Sequence, residues 1–228
     1  MFKRVSMIRT GALISATVAL AGCLGGGGGG GGGATGGGGG GAGGGGAATA
    51  GQHDTRFDQI SSMIPTTDMP TAGSANYAGS VKTILNEGNT PIGTLLGDIE
   101  LQLNFGQAFA DATSQSVSGR VHNIRGTVSG EDVAYENELT TEAAGPPSTM
   151  NISQTSVAGM TLTTGAIMAN FAGDVTLDGE TGQANLMLGG AFAGSGGQAA
   201  HGPAAGSWWR PGGVSDYSVG GTWYIERQ

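Results

Sequence analysis

The sequence predicts an all-β fold, an eight-stranded antiparallel soluble β-barrel, carried behind a lipoprotein-type signal and a disordered glycine-rich tether. Three observations point there. From Pro70 to the C-terminus, apolar residues recur at every second position, the period of a strand with one buried face. Clusters of turn-forming residues separate the alternating runs. The apolar run near the N-terminus is too short to cross a bilayer as a helix.

That run belongs to the leader. Lys3, Arg4 and Arg9 accompany Gly11 to Ala21, an apolar stretch of about eleven residues where a spanning helix needs about 20. Residues 1–22 therefore read as a signal peptide. Leu20-Ala21-Gly22-Cys23 resembles a bacterial lipobox. The resemblance implies that the Cys23 thiol takes a diacylglycerol, that the chain is cut before it, and that the new amino group is acylated. One acyl chain holds a protein to a membrane only marginally, whereas two or more hold it stably. Cys23 is the only cysteine, so no intramolecular disulfide forms. In this lipoprotein class an Asp after the cysteine retains the protein in the inner membrane. Leu24 stands there instead, which implies the outer membrane.

Residues 23–51 comprise the cysteine and a linker that is nearly all glycine. Glycine has no side chain to bury and the most backbone freedom to lose, so the stretch does not fold alone. As a flexible coil it spans on the order of 30 Å. Its GxGxxG matches lie between no strand and helix and indicate no nucleotide. A lead-in, residues 52–69, places Phe57, Ile60, Met63 and Ile64 at helical spacing before Pro65.

The domain proper is residues 70–228. Its alternating runs are Ala75-Tyr77-Gly79-Val81, Ile99-Leu101-Leu103-Phe105, Val117-Gly119-Val121, Val133-Tyr135, Met160-Leu162, Ile167-Ala169-Phe171, Leu186-Leu188-Gly190-Phe192 and Val219-Gly221-Trp223-Ile225. Turn signals fall at Glu87-Gly88-Asn89, Gly130-Glu131-Asp132, Gly145-Pro146-Pro147, Asp178-Gly179-Glu180 and Arg210-Pro211-Gly212-Gly213. Such spacing argues for a barrel or sandwich. A barrel that crosses the membrane would turn its apolar face outward between aromatic girdles. Here the polar positions include neighbouring charges, Asp98 with Glu100 and Glu136 with Glu138, and aromatics are 6% of the chain, so the apolar side is expected to face in. Tyr77, Phe105, Phe171, Phe192 and Trp223 are the expected core fillers, with interior glycines making room for them.

Several stretches resemble the β-barrel domains of transferrin-binding protein B and its surface-lipoprotein relatives. Pro70 to Gly79 follows the Pro-x-x-Gly-x-x-x-Tyr-x-Gly pattern of their opening strand. Gly97 to Gly106, with its terminal Asn-Phe-Gly, is similar to the second strand, and Ser118-Gly119 to the strand that follows. Phe171-Ala172-Gly173 resembles a Phe-Ser-Gly strand, His201 to Trp208 the Phe-Tyr-Gly-Pro-x-Ala segment, and Val219 to Trp223 the closing strand. The motifs occur in order from Met69 to the end. The departures are Ala200-His201 in place of Phe-Tyr, and one barrel without a handle domain or second lobe. The resemblance implies a surface-displayed barrel, helper-dependent export, and a part in acquiring iron, haem or another solute.

Removing Lys3, Arg4 and Arg9 with the leader takes the formal charge from −8 to −11, which opposes nucleic acid and anionic lipid as partners. No Gly-x-Ser-x-Gly or His-Glu-x-x-His occurs, so no enzyme, cofactor or metal is expected. His53, His122 and His201 are isolated and read as surface or turn residues; Asp174, Asp178 and Glu180 read as a solvated acidic turn that fits no standard calcium loop. Binding is expected on a connection: Trp208, Trp209 and Arg210 put hot-spot residue types beside a turn, with one tryptophan facing in and the other out. The expected partners are outer-membrane lipid through Cys23 and a protein or small-molecule ligand. A structural envelope lipoprotein with a filled barrel, or a carrier using the barrel as a calyx, are the alternatives.

Overall fold

The computed structural model describes residues 48–135, 137–177, 180–209 and 215–228, and leaves out the side chains of Leu177, Glu180, Trp209, Ser215 and Asp216. The leader, Cys23, the tether up to residue 47 and Arg210 lie outside the described residues. The elements are α1 (Ala50–Ser61), β1 (Ser74–Glu87), β2 (Thr90–Asn104), α2 (Phe105–Ala110), β3 (Val117–Val128), β4 (Glu131–Ala134), β5 (Leu139–Thr140), β6 (Thr149–Val157), β7 (Met160–Leu177), β8 (Glu180–Ala193), β9 (Ala199–Trp209) and β10 (Ser215–Arg227).

Every strand pairing is antiparallel. The order β2-β1-β10-β9-β8-β7-β5-β3, with β3 pairing back to β2, closes a ring of eight strands, while β4 and β6 pair only with β3 and β7 outside it. The closure is thinnest at β5, where Thr140 is the single residue paired to β7.

Alternation places the apolar set inside. On β2, Ile99, Leu101 and Leu103 are buried while Glu100, Gln102 and Asn104 are exposed. The five expected aromatic fillers are all buried. The room for them comes from glycine: a Cβ on Gly190 would lie 2.7 Å from the Trp223 ring and 2.2 Å from His201 O. Trp223 Nε1 donates to Gly189 O (3.1 Å) and Pro203 O (3.0 Å), so the buried indole keeps its polar atom satisfied. Met69 and Phe105 join this core from the lead-in and α2.

The strands differ from the expected eight in detail. Met160 to Phe171 is one continuous strand, β7, and Val133 lies in β4, off the ring. Phe105 starts α2 rather than ending β2, because Asn104 Oδ1 accepts the Gln107 N–H and caps a helical turn. β6 and β9 are strands that the alternation did not reveal. β9 is mostly Ala and Gly, and its inward positions Ala200, Gly202, Ala204 and Gly206 give almost no apolar signal.

The lead-in helix also differs. It begins at Ala50, inside the stretch read as tether, because Thr49 and Gln52 form a reciprocal capping box. It lies on the outside of the ring, against β1, β9 and β10. There Ile60 packs with Ala199 and Tyr224, flanked by Phe57 and Met63. Ile64 stays 81% exposed, beyond the helix end.

His53 corrects the surface reading. It is fully buried under α1, with Nδ1 2.7 Å from Ser80 Oγ and Nε2 3.0 Å from Thr222 Oγ1. Burial pulls its pKa down to about 4, with Lys82 adding to the fall and Asp54 opposing it. The imidazole is therefore neutral at pH 7, one nitrogen donating and the other accepting. Lys82 with Asp54, and Arg56 with Glu226, pair beside it. His122 on β3 and His201 on β9 are half-buried strand residues, not turn residues.

Candidate functional site

Trp208, expected at a binding loop, is part of the core. It ends β9 facing inward, is buried, and its ring meets Tyr135 edge-on at 5.5 Å. The inward half of the predicted in-and-out pair is thus placed, and it closes one end of the ring. Trp209 lies in β9 without a described side chain, and Arg210 and Cys23 fall outside the described residues. Of Trp208, Trp209 and Arg210, Trp208 alone has a described side chain.

Among the described residues, the interior offers little space. The cavity among Val81, Leu95, Val121, Trp208 and Val219 holds about 30 Å³, room for a water and not for an organic ligand.

The larger spaces lie on the outer wall, on either side of the segment from Glu138 to Pro146. One groove of about 710 Å³ is floored by outward residues of β7, β8 and β9 and walled by Ala143 to Pro146. Ala172, Asn185, Met187, Ala205 and Ser207 form its floor, and Asp174 is the one ionisable side chain lining it. Met187 is 43% exposed. The wall is fixed to the ring. Ser148 Oγ donates to Asn170 O (3.0 Å) and accepts from Asn170 N–H (2.9 Å). Asn170 Nδ2 donates to Pro147 O (3.0 Å). Two consecutive prolines, Pro146 and Pro147, stiffen the same loop.

The other groove, about 650 Å³, is lined by Glu100, Gln102, Ser118, Arg120, Glu138, Thr140 and Glu142 among others. Arg120 lies 2.9 Å from Glu100 and 3.2 Å from Glu138, and both carboxylates push its pKa further up. Next to it Arg125 Nη2 lies 3.5 Å from Asp98 Oδ1, and His122 Nε2 3.5 Å from Glu100 Oε1. The two arginines are already held by the chain's own carboxylates.

Among the described residues, no group of three or more His, Cys, Asp or Glu side chains is placed to hold a metal ion. The 710 Å³ groove sets amides, a hydroxyl and small apolar groups around one carboxylate, a lining that suits a neutral ligand held by contact and hydrogen bonds. No motif in the sequence marks it. The visible signal was charge: between Glu142 and Glu226 the only charged residues are Asp174, Asp178, Glu180, Arg210 and Asp216.

Comparison of the chain with protein-family models and with curated proteins gives no match.

Proposed function

We propose that the protein is a lipid-anchored outer-membrane protein, facing the exterior, that binds a partner on the outer wall of its ring and performs no chemistry. The observation that carries the reading is the contrast between a filled interior and the groove over β7–β9, whose one ionisable side chain is Asp174. A ligand that enters the ring would have to displace core side chains, whereas one on the wall displaces only water. The lipobox resemblance of Leu20 to Cys23 supplies the anchor and the membrane. The resemblance to transferrin-binding protein B relatives supplies iron or haem acquisition as the named version.

The test is passage of the protein over immobilised iron-loaded and iron-free transferrin, haemoglobin and haem, alongside the Met187→Glu variant. Binding that falls at least tenfold on Met187→Glu, with unchanged thermal stability, supports the groove. Binding to none of the panel by a folded protein removes the iron and haem version. A second reading, a structural envelope lipoprotein, is favoured by the filled interior, since such a protein needs no ligand space. Acylation itself is checked by the mass of the mature N-terminal peptide, which should carry lipid on Cys23 and lose it in Cys23→Ser.

A further inference from the structure

β6 and the first half of β7 form a two-stranded ribbon whose two edges differ. Val157 and Met160 pair on either side of Ala158-Gly159, both turn residues having positive φ (+50 and +82), as a twist-matched two-residue hairpin requires. The pair flanking such a turn exchanges both of its hydrogen bonds. Alternation then turns the N–H and C=O groups of Ile152, Gln154 and Ser156 to the outer edge of β6, and those of Thr163 to the outer edge of β7. The β7 edge is covered: Thr163 N–H donates to Thr67 O (2.8 Å) and Thr163 O accepts the Met69 N–H (2.9 Å). On the β6 edge, Met150 N–H donates to Ser116 Oγ (2.9 Å). Beyond Met150, among the described residues, β6 pairs with β7 alone. Ser153 to Val157 are exposed on both faces.

Free strand edges are normally blunted by charge, proline or a bulge. β4, which also pairs on one side only, carries Glu131 and Asp132. β6, Thr-Met-Asn-Ile-Ser-Gln-Thr-Ser-Val, has no charge, proline or glycine, and its pairing to β7 runs without a register shift.

We propose that the β6 edge pairs antiparallel with the same edge of a second copy of this chain, about a two-fold axis at Gln154. In that register Ile152 faces Ser156 of the second copy, Ser153 faces Thr155, and Asn151 faces Val157. No charge meets a charge anywhere along it. Two acidic copies repel wherever their surfaces carry charge, and between Glu142 and Asp174 the sequence has no ionisable side chain at all. A single two-fold operation satisfies the outward groups of both copies and leaves no edge for a third, so the pairing stops at a dimer.

The test uses the full chain with Cys23→Ser, which removes its only thiol, in mild detergent. Light scattering across a concentration series should show a monomer–dimer equilibrium. Gln154→Lys puts like charges directly opposite at the axis and should weaken the dimer at least tenfold. Gln154 is exposed and its amide reaches only Thr163 Oγ1 (3.3 Å), so the variant keeps its fold, which circular dichroism confirms. With copper–phenanthroline as oxidant, Gln154→Cys should cross-link to itself, since facing Cα atoms in such a pair lie about 5.5 Å apart, within disulfide reach. Ser156→Cys, which faces Ile152, should cross-link far more slowly. A protein that stays monomeric, a dimer indifferent to Gln154→Lys, or equal cross-linking of the two cysteine variants overturns the proposal.

Discussion

The two grooves on either side of β5 share one interior and differ in what they show to solvent. The wall of β2 and β3 carries Asp98, Glu100, Arg120, His122 and Arg125, and the wall of β7, β8 and β9 carries Ala, Gly, Met, Asn and Ser around the single carboxylate of Asp174. Both have the same alternation and the same packed inner face. The difference therefore lies in the outward position alone, which folding leaves nearly unconstrained. A charged wall is kept in water and binds its own counter-charges. A wall with one carboxylate is less costly to cover, because away from Asp174 no ion has to lose its hydration when a partner arrives.

If the walls differ only outside, a change to the shared interior should outweigh any change to either wall. Trp208→Ala, which removes the ring against Tyr135, should cost about 3–5 kcal/mol in urea unfolding. A loss below about 1 kcal/mol would mean that Trp208 does not hold the interior. The part of the wall under α1 sharpens the comparison, because there the outer face is already covered. His53 titrates near 4 when folded and near 6.5 when unfolded, so the unfolded chain binds the proton more readily between those values. Its contribution is intact above pH 6.5, declines as the pH falls toward 4, and is flat below. The slope should amount to about 2–3 kcal/mol and be missing from His53→Ala, as chemical denaturation at pH 7, 5.5 and 4 would report.

Smaller effects follow on the open walls. Arg120→Ala should lower the urea midpoint only slightly, and less at high salt, since its guanidinium and partners are near half-exposed. Met187→Glu should leave the unfolding midpoint unchanged within about 0.5 kcal/mol. A larger loss would show that the charge-poor wall is structural rather than available.

Much of this fold was legible because period two is a property of the chain itself. Ile99 to Leu103 and Leu186 to Phe192 announced their strands and inward residues directly. β9 escaped because small residues satisfy the inside of a tight ring without any apolar contrast. Trp208 was legible as a residue type but not as a place: hot-spot chemistry and end-closing chemistry both call for a tryptophan, and only the packing on Tyr135 separates them. His53 was illegible for a further reason. Its partners Ser80 and Thr222 come from the first and the last strands of the ring, and no local pattern joins three residues so far apart. The grooves exist only because outward positions of separate strands lie side by side, although the run of sequence poor in charge marked one of them.

The way α1 is fastened also sets how the domain bears a load. A pull on the chain preceding Ala48 first meets the Arg125 guanidinium, which holds Ala48 O at 2.8 Å. It then meets His53, Asp54 and Arg56, gripped at once by Ser80, Lys82, Thr222 and Glu226. These contacts lie along the helix and share tension in parallel, so they must slide together instead of opening one after another. The next element in line, β1, is clamped by β2 and β10 along nearly its whole length. A load along the chain would thus reach the ring through a strand held by neighbours on both sides.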